Sequence, residues 1–340
     1  MSEGYSVAIL GATGLVGEAL LTILEQREFP VRELFPLASE RSAGRKVRFR
    51  DREYTVEDVA GFDFSRAQIG LFSAGASVSE IYAPKAGDAG CVVIDNTSRF
   101  RLEDDIPLVV PEVNPDAVGG FRSRNIIANP NCSTIQMVVA LGPLHRAVGV
   151  ERVNVATYQA VSGAGRGLVE DLARQTSLLL SGKPLGDMTT PKQIAFNLLP
   201  QIDVWEKNRY SREEMKMVWE TRKILDEPGM LINPTAVRVP VFFGHSEAIH
   251  AETRDKISAQ GAADILRAAP GITVLDHSDS GGYPTPVTEA AGNDPVFVGR
   301  IREDISHPRG LDMWVVADNV RKGAALNSVQ IAELLVKSYL

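Results

Sequence analysis

The stretch YSVAILGATGLVGEALLTILEQ, residues 5–26, leaves the chain few choices for its first fold unit. A short aliphatic, β-branched run gives way to glycines at 11, 14 and 17, then to apolar residues at helical spacing. This pattern predicts a strand, a tight turn and a helix. That order puts unpaired backbone N–H groups and the positive end of a helix dipole at the turn, where a pyrophosphate can be received. The Gly-x-x-Gly-x-x-Gly spacing departs from the usual dinucleotide fingerprint, so the weight lies on Gly11 and Gly14 standing between strand and helix. A purely structural turn is the competing reading.

Further strand-like runs follow at RELFPLAS, IGLFSAG, CVVIDNTS and NIIANPNC, with helix-compatible stretches between several of them. Such alternation predicts a mostly parallel sheet with crossovers, a Rossmann-like doubly wound α/β domain. After Cys132 the character changes. RVNVATYQAVSGAG, TAVRVPVFFGHSEAIHAET and MWVVADN have strand character, whereas GLVEDLARQTSLLLSG and SREEMKMVWETRKILD look helical. A second, α+β domain on a largely antiparallel sheet is expected. The closing ALNSVQIAELLVKSYL is an amphipathic helix that pattern alone gives to neither domain. With 340 residues, 44% of them hydrophobic and 23% charged, the chain has material for two domains. We place them at 1–131 with 319–340, and at 132–318. The tract DHSDSGGYPTPVTEAAGNDP, residues 276–295, reads as a long loop flanking the site.

No basic segment precedes the first apolar stretch, which is broken by glycines and Glu18, so neither a signal peptide nor a membrane span is expected and the location is read as cytoplasmic. The net charge of −7 argues against nucleic acid as a partner. An anionic substrate would require a local cluster of Arg and Lys to overcome that field.

The chain has two cysteines. Cys91 lies inside the strand-like CVVID and is read as buried and inert. Cys132, in ANPNCSTIQMVVAL, stands where a Pro/Asn turn gives way to a helix-like run, a place where free N–H groups and the helix dipole favour a thiolate. A small buried hydrophobe is the alternative. His245 and His250 are five apart in a strand-like segment, which is not zinc-helix spacing, so no metal site is expected. Where an NAD enzyme presents an acid to the ribose, PLASERSAG offers Ser39, Arg41 and Ser42. These suit a 2′-phosphate, hence NADP, although Glu40 can compete for the ribose and a solvated polar loop is the plainer reading.

In order along the chain, GATGLVG, NTSRFR, NPNCST, YQAVSGAG, EEMKMVWETRKI, VRVPVFFGHSE and NVRKGAALNSVQ resemble the successive motifs of bacterial aspartate-semialdehyde dehydrogenases. Arg99 occupies a position in NTSRFR that the family lets vary. The resemblance implies reversible conversion of aspartate 4-semialdehyde, phosphate and NADP into 4-aspartyl phosphate and NADPH. It also implies a place in lysine, threonine, methionine and diaminopimelate biosynthesis, and a homodimer formed through the second domain. By the same resemblance Cys132 matches the nucleophile, His245 the acid/base and Gln159 an orienting residue of the substrate site. Arg238 matches the substrate-carboxylate clamp, Arg101 and Lys216 the phosphate-binding pair, and Glu213 a carboxylate at the substrate site. Gly11, Thr13, Gly14, Leu15 and Val16, with Ser162, Gly163 and Asn319, fall beside the cofactor.

The residue types suit this chemistry. Hydride leaves an aldehyde most easily from a tetrahedral thiohemiacetal, which then becomes a thioester, and cysteine is the natural nucleophile for that route. Guanidinium and ammonium groups hold phosphate, a bidentate Arg suits a carboxylate, and a neutral amide orients substrate without acting as a base. Each residue has a duller alternative: a structural histidine, a solvated i,i+3 pair at Glu213 and Lys216, ion-pairing arginines, a core amide, and a plain turn at SGAGRG. N-acetylglutamyl-phosphate reductase is the nearest enzymatic rival, but its cysteine motif reads closer to GCYPT. Glyceraldehyde-3-phosphate dehydrogenase is weaker still, because SCTTN is absent. A non-catalytic paralogue is the rival from another class.

Overall fold

A computed structural model describes residues 4–340. The chain divides into two compact units. One ends at Asn131 and resumes at Ala324–Leu340; the other is Cys132–Gly323.

In the first unit the strands are β1 (Tyr5–Leu10), β2 (Val31–Ala38), β3 (Lys46–Phe49), β4 (Arg52–Thr55), β5 (Glu57–Asp58), β6 (Ile69–Phe72), β7 (Val92–Asp95) and β8 (Ile126–Ala128). Six of them form a sheet in the order β5-β2-β1-β6-β7-β8, and every ladder in it is parallel. Strands covered on both faces read as unbroken apolar runs rather than alternation, as β6 and β7 do. Helices α1 (Leu15–Gln26) and α2 (Ala76–Asp88) are crossovers. The last helix of the chain, Leu326–Ser338, packs Leu326, Val329, Ile331 and Leu335 into the same core as Leu20, Ile23 and Leu24 of α1. Arg27 and Glu333 fasten the two helices through a two-pronged ion pair of 2.6 and 2.7 Å. The β3–β4 hairpin has no counterpart in the sequence expectation, because its strands are short, mostly exposed and rich in charge.

The glycines of the opening turn earn their places by geometry. Gly11 has φ +92°, and a Cβ on Gly17 would lie 2.2 Å from the Gly11 carbonyl oxygen, so helix and strand can pack this closely only without a side chain there.

The second unit opens with α3 (Cys132–Val148), followed by β9 (Val150–Gln159), α4 (Arg166–Leu180), α5 (Arg212–Leu225), β10 (Leu231–Arg238), β11 (His245–Thr253), α6 (Ala259–Ala268), β12 (Ile272–Val274), β13 (Val296–Glu303) and β14 (Gly310–Ala317); the terminal helix of the first unit is α7. The sheet order is β10-β9-β11-β14-β13-β12. The three inner ladders are antiparallel, as expected, but both edge ladders, β10 with β9 and β12 with β13, are parallel, so the sheet is mixed. The reason is connection length. A parallel neighbour needs a long crossover, which α4 and α5 supply on one side and residues 275–295 on the other. That second tract is anchored, not free: Asp276 accepts the Arg300 and Ile301 N–H groups, and the Trp314 indole donates to the Pro284 carbonyl at 3.0 Å. The chain crosses from the second unit to the first at Ala324 rather than at residue 319, because Asp318 and Asn319 are hydrogen-bonded into the second unit.

Candidate active site

In the first unit, the carboxyl ends of β1, β2 and β6 open onto a cleft of about 510 Å³. Here the chain leaves β1 for β2 on one side and β6 lies on the other, the switch point at which open α/β sheets bind ligands. Gly11, Thr13 and Gly14 line it from the turn, and Ser39, Glu40, Arg41 and Ser42 from the end of β2. Gly14 is the N-cap of α1 and provides no side-chain cap, which leaves first-turn N–H groups for an anion. Arg41 is exposed, and no ion pair of its guanidinium is found among the described residues. The donor set therefore fits a dinucleotide with a 2′-phosphate. Leu15 and Val16 are not on the cleft wall; Val16 packs against the core instead. Sequence reasoning missed Ser73, Val78 and Tyr82 on the opposite wall, which lie at the end of β6 and on α2 and carry no turn or charge signal.

Arg101 also belongs to the first unit. It is 7% exposed, and its guanidinium donates to the carbonyls of Asn129 and Asn96, both at 2.9 Å. Those carbonyls follow β8 and β7, so the NTSRFR loop holds a fixed cation near the carboxyl edge of the sheet. Asp95 beneath it is buried, which pushes its carboxyl up, while bonds from Thr97 and Ser79 and the charge of Arg101 favour the anion.

The second unit gathers the remaining candidates. Cys132 is the first residue of α3 and partly exposed, whereas Cys91 is wholly buried and its thiol is pushed up to about 12. Gly323 passes so close that a Cβ there would stand 2.7 Å from that of Cys132. His245 opens β11 with no exposure. Its Nδ1 accepts the Ala160 N–H at 3.1 Å, and the Ala160 carbonyl accepts Arg238 Nη1 at 2.8 Å, so one residue fixes both the imidazole and the guanidinium. Burial, then the Arg238 charge, drives the His245 pKa well below the ordinary value, so the ring is neutral. With Nδ1 occupied as an acceptor, the single ring proton sits on Nε2, which has no hydrogen-bond partner among the described residues. Burial likewise lowers Arg238, against the opposing pull of Glu213 and Cys132, whose charges it feels.

Gly163 covers this pair: a Cβ on it would lie 3.0 Å from Arg238 Nη1 and 3.1 Å from His245 Nε2. Ser162 and Asn319, expected beside the cofactor, bond each other at 2.9 Å, and Asn319 Oδ1 also accepts the Gly244 N–H. They tie the 161–164 turn to the residue before His245.

Gln159, at the end of β9, donates to Glu213 Oε1 at 3.3 Å and to the Thr157 hydroxyl at 3.2 Å. Glu213 is 5% exposed, and Lys216 bridges it at 3.1 Å to Asp203 at 2.8 Å. The solvated i,i+3 pair is thus replaced by a chain that runs from the buried Gln159 and Glu213 through a partly buried Lys216 to an exposed Asp203. Burial alone would raise Asp203, but the Lys216 ammonium holds it below its usual range. Asp203 was not foreseen, since it lies in an aperiodic loop. His245 and His250 point to opposite faces of β11, and His250 Nδ1 is bonded to Asp312 at 3.0 Å.

Residues 6–120 match the family description "Semialdehyde dehydrogenase, NAD binding domain", and residues 141–322 match "Semialdehyde dehydrogenase, dimerisation domain". Fold and site thus define an oxidoreductase of the semialdehyde dehydrogenase class with an NAD(P)-binding Rossmann-like domain. An aspartate-semialdehyde dehydrogenase of Shewanella violacea is 59% identical over 339 residues, covering 100% of both chains. The structure of aspartate semialdehyde dehydrogenase II from Vibrio cholerae, complexed with ASA, has a TM-score of 0.98 at 58% identity, again over 100% of both chains. That of the Candida albicans aspartate semialdehyde dehydrogenase with NADP has a TM-score of 0.76 at 27% identity, covering 98% of this chain and 99% of that one. The chain belongs to the aspartate-semialdehyde dehydrogenase family.

Proposed function

We propose that this protein catalyses the reversible, NADPH-dependent reductive dephosphorylation of 4-aspartyl phosphate to aspartate 4-semialdehyde through a thioester on Cys132, acting as a cytoplasmic homodimer. The observation that carries this reading is a partly exposed thiol at the head of α3, within electrostatic reach of Arg238, whose own charge acts on a neutral His245. No helix among the described residues is long and apolar enough to cross a membrane.

Arg238 receives the substrate carboxylate, and Gln159, held by Glu213 and Thr157, orients the substrate. The α3 terminus and Arg238 favour the Cys132 thiolate, which attacks the acyl carbon as phosphate departs to the cations Arg101 and Lys216. The Gly11–Gly14 turn with Ser39, Arg41 and Ser42 would hold NADPH, which when bound would supply the hydride. The tetrahedral oxygen that develops takes a hydrogen bond from His245 Nε2–H, and collapse frees the aldehyde and returns the thiolate. His245 was expected as an acid/base, but with Nδ1 accepting the Ala160 N–H its neutral ring donates at Nε2; to act as a base it must first give up that bond.

The direct test is NADPH formation, followed spectrophotometrically, from aspartate 4-semialdehyde and phosphate. Turnover of an N-acetylated glutamate semialdehyde in its place would overturn the substrate assignment. For the cofactor, Arg41→Ala is expected to raise the KM for NADP roughly tenfold by removing a charge-assisted bond at an exposed site, with little change for NAD. An unchanged NADP preference would remove Arg41 from the 2′-phosphate site.

A further inference from the structure

Glu247 lies two residues beyond His245 on β11, on the same inward face, with no exposure. In the ladders it stands opposite Thr157 of β9 and Val315 of β14, and Thr157 is the residue that accepts the Gln159 amide. Helix α3 packs on this strand, and Gln136 follows Cys132 by one turn of that helix, so both lie on one side of it. The Gln136 amide acts on the Glu247 carboxyl, yet neither carboxyl oxygen nor the Gln136 nitrogen has a partner of hydrogen-bond geometry among the described residues. An ion there would have no cation paired to it among the described residues. Burial outweighs the Gln136 contribution and pushes the carboxyl well above its ordinary range.

Titratable groups on the elements packed about this layer include Cys132 on α3, His245 on the same strand, Arg238 at the end of β10, and Glu213, Glu214, Lys216 and Glu220 on α5. A further buried anion, with no cation paired to it as Lys216 is to Glu213, would oppose a thiolate at Cys132. Packing alone would call for leucine or methionine at 247. We propose that Glu247 is a positioning residue of the active site: an un-ionised carboxylic acid set between the helix of Cys132 and the strands of Gln159 and His245, which adds no unpaired anion beside the Cys132 sulfur. This rests on Cys132 being the nucleophile.

The test compares Glu247→Gln and Glu247→Leu in the full chain. At about pH 7, the infrared difference between wild type and E247Q is expected to contain a protonated-carboxyl band; carboxylate bands in its place overturn the proposal. Alkylation of Cys132 by iodoacetamide against pH is expected to keep its midpoint in E247Q to within about 0.3 pH unit, whereas a fall of about one unit or more would reveal an anion at 247. Glu247→Leu keeps the volume without polar atoms and is expected to lower kcat about tenfold with KM for the semialdehyde within about twofold, and E247Q to recover most of that loss. Wild-type kcat in E247L would end the positioning role. Should E247L fail to melt cooperatively, the infrared and alkylation results on E247Q decide alone. Both read thiol and carboxyl without turnover, so a failure of the nucleophile assignment, shown by Cys132→Ser, is distinguishable from a failure here.

Discussion

Replacing Cys132 by serine is expected to lower kcat by on the order of 10⁴-fold or more, because loss of an enzyme's nucleophile removes the covalent route itself. A serine hydroxyl at the head of α3 is the same shape but not an anion near neutrality, and His245, holding its proton on Nε2, is in no state to remove one. The melting temperature should barely change, since the site is partly exposed and the substitution nearly isosteric. Dinucleotide binding, measured by fluorescence titration, should also survive. Full turnover in Cys132→Ser would end the thioester mechanism even if the substrate assignment stood.

His245→Ala is expected to cost about 10²- to 10³-fold in kcat, the usual effect of removing one donor from a developing oxyanion. His245→Gln, which keeps an N–H donor, should recover part of that loss; equal activity of the two variants would argue against donation as the role. The pH dependence carries a sign. The folded-state pKa of His245 lies well below its unfolded value of about 6.5. As pH falls below about 6.5 the unfolded chain takes up a proton that the folded chain refuses, so the contribution of this group to stability is present above that value and is lost toward acid. His245→Gln removes the linkage. Between about pH 7.5 and 5.5 the melting temperature of wild type should therefore fall more steeply than that of the variant, and parallel curves would show that the ring titrates in the folded chain as it does in the unfolded one. Over the same range kcat/KM should show no titration of this imidazole.

Much of the candidate site was legible in the chain. The opening strand, turn and helix, the thiol at a helix start, and Ser39, Arg41 and Ser42 at the end of β2 all follow from local pattern, because backbone geometry and helix electrostatics act over a few residues. Glu247 shows where attention to alternation would have found more: an acid two residues after His245 must share its inward face. Asp203 had no such signal, since its partner Lys216 is brought to it by the fold and the intervening loop has no period.

Residue order alone settled that the chain opens on a strand, a glycine turn and a helix and that the first sheet is mostly parallel, and it pointed to side chains with functional groups suited to acyl transfer. These depend on short-range periodicity and on functional-group identity. Protonation states and pairings came only with the folded chain. His245 is neutral with its proton on Nε2, Lys216 is shared between two carboxylates, Asn319 braces the Ser162 turn, and the second sheet has parallel edges. Each follows from desolvation or from contacts between residues distant in sequence, quantities that exist only once the chain has excluded water from its interior.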